Sequence, residues 1–321
     1  MVQLRADPWR PDFGAGAEAS YDDDLPTPFV DPLVETADWS RPISPPPCDP
    51  ETFYFVDGVM RTELRVLATN ASRQAWGMLG SYLAGAVCCD GSARFVCEDE
   101  PAGRALILGG RIETEPLEVA APSATLVYRP HPIADDSPTS LRIALQRLML
   151  GAEQRVAARL GSDGIVFADG PLHPSAEQKG ATVIGVVKRM VKAYLHDEQH
   201  DLLPQLEPGQ RTPLFAVGNN VVDRYAWYLR LIPLDPTWHE LAGLVRCEVS
   251  MATGLARAKE LADLVACHLP AFAGRPGIDP RAPQNLTPVG ALEARLKHRL
   301  GSSTYLSRAL TAHLAEGLAY D

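Results

Sequence analysis

Two short apolar runs in this chain each end in Asp-Gly. The first is Phe53-Tyr54-Phe55-Val56, followed by Asp57-Gly58. The second is Ile165-Val166-Phe167-Ala168, followed by Asp169-Gly170-Pro171-Leu172. Apolar runs this short, bounded by turn residues, read as buried strands rather than helices. In each, a carboxylate stands where the strand leaves the core, and the glycine leaves the space beside it uncrowded. Laid side by side, the two strands would put two carboxylates at one end of a sheet, which is a place to hold a divalent cation.

The surrounding pattern predicts a β-rich first half. In 61–69, Arg61, Glu63 and Arg65 alternate with Thr62, Leu64 and Val66. That alternation predicts a half-buried strand and puts Asp57 at a hairpin. Further strands are predicted over 76–88, 92–97, 104–109, 123–128, 164–168, 182–187, 213–217, 224–232 and 243–250. Helical spacing of apolar residues predicts helices over 139–160, 253–268, 287–300 and 303–317. This order suits an α/β domain in which helices pack on a mixed sheet, not a strictly alternating doubly wound fold. Residues 1–50 read as an extended arm, with acidic Asp22-Asp23-Asp24 and the Pro-rich stretch 41–47. The arm precedes one domain over 51–321.

The net charge of −10 argues against a protein that coats nucleic acid nonspecifically. It leaves room for a nuclease, in which local basic patches track phosphate while acidic residues hold metal. No apolar stretch reaches the length of a bilayer span, and the N-terminus has no signal-peptide core. The six cysteines form no C-x-x-C pair, so reduced thiols in a cytoplasmic protein are expected. No G-x-G-x-x-G or Walker loop follows a strand, which leaves nucleotide binding without support.

Two residues join the aspartates as candidates. Glu153 lies in the helix that leads into the second Asp-Gly strand, and a helix packed across a sheet can lower one carboxylate onto the strand ends. Lys188 ends the strand 182–187. Three crowded carboxylates repel unless a cation intervenes, and hard oxygen donors suit Mg2+ or Mn2+. Two such ions can activate water and stabilise the leaving oxygen of a phosphodiester. A lysine beside them could neutralise charge growing on the phosphate. The plain alternatives are a pair of turn aspartates, a solvated helix glutamate and an exposed lysine. Among cations that could meet a DNA strand, Arg61, Arg189 and Arg246 each neighbour a proposed strand end. The helix bearing Arg295, Lys297 and Arg299 is also basic.

Several of these segments resemble the NurA nucleases. They are FVDG at 55–58, Glu153 before the second aspartate, ADGPL at 168–172, GVVK at 185–188 and NLTPVGALE at 285–293. The resemblance spans roughly Phe53 to Leu300. It implies an RNase H-like mixed sheet flanked by helices, with β-rich insertions and a C-terminal helical segment. It implies a Mn2+- or Mg2+-dependent 5′–3′ exonuclease and single-strand endonuclease. It also implies a homodimer that works with HerA, a hexameric ATPase translocating duplex DNA. Asp57, Glu153 and Asp169 would be the metal carboxylates and Lys188 the lysine of the site. The chain departs from the family pattern in one respect. Members often carry a metal-binding histidine in the C-terminal helix, and this chain has none at that step. Glu293 could substitute, His298 could reach in from five positions further along, or the site has lost a ligand. The last case would make the protein a weak or inactive adaptor docked on a HerA-like ATPase. An RNase H-like enzyme acting on RNA or Holliday junctions is a further alternative.

Overall fold

The computed structural model describes residues 2–6, 29–71, 73–97, 101–121, 124–172, 182–188, 194–218, 222–278 and 281–319. In chain order the strands are β1 (Gln3–Ala6), β2 (Phe29–Asp31), β3 (Phe53–Asn70), β4 (Arg73–Cys89), β5 (Ala93–Val96), β6 (Gly103–Leu108), β7 (Leu117–Ala121) and β8 (Ala124–Pro132). They continue with β9 (Ile165–Asp169), β10 (Thr182–Val187), β11 (Phe215–Gly218), β12 (Val222–Arg230) and β13 (Leu244–Ser250). The helices are α1 (Pro138–Leu160), α2 (Asp197–His200), α3 (Leu255–His268), α4 (Thr287–Arg299) and α5 (Ser303–Ala319).

Among the described residues the strands join in one mixed sheet, ordered β2-β11-β12-β13-β10-β9-β3-β4-β6-β8-β7, with β1 added beside β3 and β5 beside β4. The fold is therefore mixed α/β, a large sheet flanked by helices. Its centre is a parallel trio. β9 lies between β3 and β10, and pairs in parallel with both. These three strands carry the Asp-Gly and lysine signals of the sequence.

The sheet has two apolar faces because its central strands alternate with period two. Phe53, Phe55, Val59 and Phe167 belong to a core shared with Leu261 and Val265 of α3 and with Leu292 and Leu296 of α4. Tyr54, Val56 and Val166 belong to a second core with Ala152, Val156 and Leu160 of α1. Both faces of these strands are buried, which is why their sequences read as continuous apolar runs. α1 starts where Ser137 accepts a hydrogen bond from the Ser140 N–H, with Pro138 in its first turn, and ends at Gly161.

Asp57 is not at a hairpin. β3 continues through Asp57-Gly58 for 18 residues and pairs with β4 along its whole length. The turn falls instead between Asn70 and Arg73, where Ala71 has a φ of 52°. Gly58 passes through the strand because β4 pairs with it, Gly58 opposite Ala84. An Asp-Gly pair permits a turn, but the long partner strand decides against one.

The described parts of the first 50 residues, 2–6 and 29–50, join the sheet and the core; the acidic run Asp22-Asp23-Asp24 lies outside the described residues. β1 pairs with the far end of β3, and β2 pairs with β11 at the edge of the sheet. Trp39 is buried against Phe215, and Glu35 is paired with the buried Arg211 at 2.9 Å.

A candidate carboxylate–lysine site

The site forms where the parallel ladder stops. The last paired positions of β3 and β9 are Val56 and Ala168, so Asp57 and Asp169 follow on adjacent strands. β10 pairs Val186 with Asp169, and Lys188 comes two residues later. Its Nζ donates to Asp169 Oδ2 at 2.8 Å and to Asn285 Oδ1 at 3.1 Å. Asn285 is buried on the segment leading into α4.

Glu153 arrives from the other side of the sheet. By strand alternation Asp57 shares the face of Phe53 and Phe55, while Gly58 faces α1. A Cβ added to Gly58 would strike Glu153 Oε1 and would lie 2.8 Å from Met149 Cγ. The space that the sequence suggested was left open beside Asp57 is therefore filled by the Glu153 carboxylate. The missing side chain at Gly58 lets a helix carboxylate descend to the sheet at the row where Asp57 stands. Gly170 has no such neighbour; its φ of 96° suits it to the turn that follows Asp169.

Electrostatics ties the three carboxyls together. Burial, then the Asp169 charge, pushes Asp57 up to about 8; Lys188 and the Gly58 N–H pull it down but do not prevail, and Glu293 adds to the rise. Burial, then Asp57 and Asp169, raises Glu153 well above the usual carboxylate range. Asp57 and Glu153 are 9% and 8% exposed, so water does little to relieve this repulsion. Buried carboxyls with too little positive charge beside them fit a hard cation by the chemistry of their oxygens. Among the described residues, no three His, Cys, Asp or Glu side chains are already arranged as a ligand set.

The structure separates the remaining candidates. Glu293 is half-buried and close enough for its charge to be felt at Asp57. It accepts from Arg281 at 2.6 Å and from Lys297 at 2.7 Å. Burial works against its charge, but these cations outweigh it and hold the carboxyl below its ordinary value. His298 is exposed, off the Leu292–Leu296 face that packs on the sheet. Arg61 spends its donors inside the protein, on Gly301 O at 2.9 Å, Leu300 O at 3.3 Å and Glu63 Oε1 at 3.2 Å. It closes the C-terminal end of α4 instead of standing free beside Asp57. Arg246 is 4% exposed and bonded to Glu248 at 2.8 Å, so it does not present a cation to a DNA strand. Arg189 lies outside the described residues.

No family model and no curated protein matches the sequence. Among solved structures, the chain is similar to the NurA nuclease from Sulfolobus solfataricus, with a TM-score of 0.44 and 11% identity over 79% of this chain and 81% of that one. A likeness of this degree assigns no residue, and the roles of the side chains rest on their own chemistry.

Sequence reasoning missed Asn285, the passage that Gly58 opens for Glu153, and Glu248 with its two arginines. Asn285 had a usable signal, since it begins the same NLTPVGALE stretch as Glu293. No helix among the described residues is long and apolar enough to cross a membrane.

Proposed function

We propose that the chain is a divalent-metal-dependent deoxyribonuclease of the NurA type, built on an RNase H-like arrangement. The observation that carries this reading is that two buried carboxyls, Asp57 and Glu153, approach one row of the sheet from its two faces, and that each is raised by the Asp169 charge beside them. Lys188 pairs with Asp169 alone, so without a cation Asp57 and Glu153 must take up protons or stand as unpaired buried charges, and either way their burial does not serve the fold. The resemblance of FVDG, ADGPL, GVVK and NLTPVGALE to segments of NurA nucleases supports the same assignment.

Asp57, Glu153 and Asp169 would hold Mn2+ or Mg2+, with Glu293 at the margin. Divalent ions there would supply a reactive water and stabilise the leaving oxygen of a phosphodiester. Lys188 holds Asp169 in place and presents a positive charge toward the phosphate. Asn285 fixes the lysine. The expected products are a 5′-phosphate and a 3′-hydroxyl. The partner in this reading is a HerA-like hexameric translocase that feeds DNA ends to a homodimer, in end processing, repair or phage defence.

Digestion of single-stranded DNA with Mn2+ tests the proposal. The wild-type chain should cut, chelator should stop it, and Asp57→Ala should be inactive. Cutting that persists in chelator, or in Asp57→Ala, would refute the metal mechanism. A second reading, a NurA-fold adaptor docked on an ATPase ring, is favoured by the exposure of His298 and by the ion pairs that occupy Glu293. A wild type that fails to cut with or without a translocase, yet binds the ATPase, would establish the adaptor.

A further inference from the structure

Glu248 of β13 is completely buried and sits at the centre of a cluster that no metal role requires. One carboxylate oxygen accepts the Leu172 N–H at 3.0 Å and lies 3.4 Å from Arg224 Nη1. The other accepts from Arg246 Nε at 2.8 Å. Arg224 Nη1 also donates to the Leu172 carbonyl at 3.0 Å. Both backbone groups of one residue are thus held by one buried ion pair.

Leu172 is three residues beyond Asp169. At the start of the turn between them, the Gly170 N–H donates to Val186 O of β10 at 3.0 Å and ties the turn to that strand. The turn also rests on bare backbone, since a Cβ on Gly185 would come within 2.8 Å of Leu172 N and 2.9 Å of Gly170 O. On the other side of the cluster, the Arg246 guanidinium lies over the Tyr194 ring at 3.9 Å. Tyr194 is six residues beyond Lys188. In the β13–β10 ladder Glu248 stands opposite Gly185 and Arg246 opposite Val187, so the cluster borders both strands that end in site residues, β9 and β10.

We propose that Glu248, with Arg224 and Arg246, positions Asp169 and Lys188 for cation binding and catalysis. The inference rests on the nuclease reading. None of the three side chains touches substrate in it; they act through the 169–172 turn and through the pairing of Arg246 with Val187, next to Lys188. Groups that orient metal-binding side chains typically change affinity or activity by about 10- to 100-fold when removed.

The test compares wild type with Glu248→Gln and Arg224→Gln by three measurements. These are hydrogen–deuterium exchange of the peptide spanning Asp169 to Leu172, Mn2+ affinity by calorimetry, and kcat and KM on single-stranded DNA. Gln keeps the size of Glu248 but removes the charge that holds the arginines and leaves the Leu172 N–H only a weaker, neutral acceptor. In wild type the Leu172 amide should exchange slowly, as a buried hydrogen-bonded N–H does. In both variants it should exchange at least about tenfold faster, Mn2+ affinity should fall about tenfold or more, and kcat should fall similarly with KM changed little. If Glu248→Gln fails to fold, Arg224→Gln and the wild-type exchange rate still decide. Fast wild-type exchange at Leu172 overturns the inference. So do variants that loosen the turn yet bind Mn2+ and cut like wild type. A wild type that neither binds Mn2+ nor cuts overturns the nuclease reading and this inference with it.

Discussion

Lys188 reaches Asp169 because their strands are parallel and in register. Val186 stands opposite Asp169, and the lysine two residues on returns its ammonium to Oδ2 at 2.8 Å. The pair is held from the other side by Asn285, so the ammonium has a fixed direction. Lys188→Met should keep the apolar stem and lose this charge. Its kcat on single-stranded DNA should fall about 100-fold, the scale set by losing one preorganised donor to developing charge. A change under about threefold would remove Lys188 from the site.

Asp57→Asn should separate stability from activity. The change removes a buried charge at nearly constant volume and relieves the repulsion felt by Glu153. Without metal, the variant should unfold at higher temperature than wild type at pH 8, and it should not cut DNA. Calorimetric melting and a cleavage assay on the same preparation check both halves. A lower melting temperature would mean that the Asp57 charge is already compensated in the folded chain.

The same carboxyls set the pH dependence of the metal-free protein. Asp57 titrates near 8 in the folded chain, far above the ordinary value of 3.8, and Glu153 is raised in the same direction. Between those values the folded chain holds protons that the unfolded chain has released. The contribution of these groups to stability is therefore fullest below the unfolded pKa and is lost as pH climbs towards 8. Asp57 costs about 1.4 kcal/mol per pH unit over that window, and Glu153 acts in the same direction. Urea unfolding at pH 5, 6.5 and 8 should show a decline that is shallower in Asp57→Asn and flattened by saturating Mn2+. Equal slopes for wild type and variant would contradict the assignment.

Gly58→Ala should act on the site from the opposite face of the sheet. The new methyl would occupy the place of Glu153 Oε1 and crowd Met149. Glu153 must then withdraw, and Mn2+ affinity should drop about tenfold or more while the β3–β4 ladder persists. Calorimetric titration with Mn2+ and far-ultraviolet circular dichroism together read this. Unchanged affinity would show that the Glu153 carboxylate does not reach the cation.

Much of this arrangement is legible in the order of the residues alone. The apolar runs ending at Asp57 and Asp169 are strands, the run ending at Lys188 is a third, and they are neighbours. Short continuous apolar runs bounded by turn residues are enough to read the strands, while their adjacency comes from the pairing of the sheet. Helix α1 is visible by its spacing, and with it the descent of Glu153. What stays hidden depends on partners distant in sequence. Asp57-Gly58 looks like a turn because nothing local reveals the 17-residue β4 that keeps the strand running. Arg246 looks like a surface cation because a local reading assigns charges to solvent. Glu248, two residues on and on the same side of the strand, neutralises it inside the protein. Burial opposes the Arg246 charge, but Glu248 more than offsets this and holds the proton more firmly than usual. The strands of the N-terminal segment escape notice because proline and acidic residues dominate its composition, and three or four residues are enough to complete an edge.

The short strand β1 covers the outer edge of β3 over Val66–Thr69. Trimming the first six residues would uncover the N–H and C=O groups with which alternate residues of Val66–Thr69 face β1, on a stretch that is mostly apolar. A bare edge of that kind invites a second molecule to add its own strand. Shortened versions of the chain would be prone to sticking together through the sheet, at a place remote from Asp57, and designs for expression or fusion do better to keep Gln3–Ala6 intact.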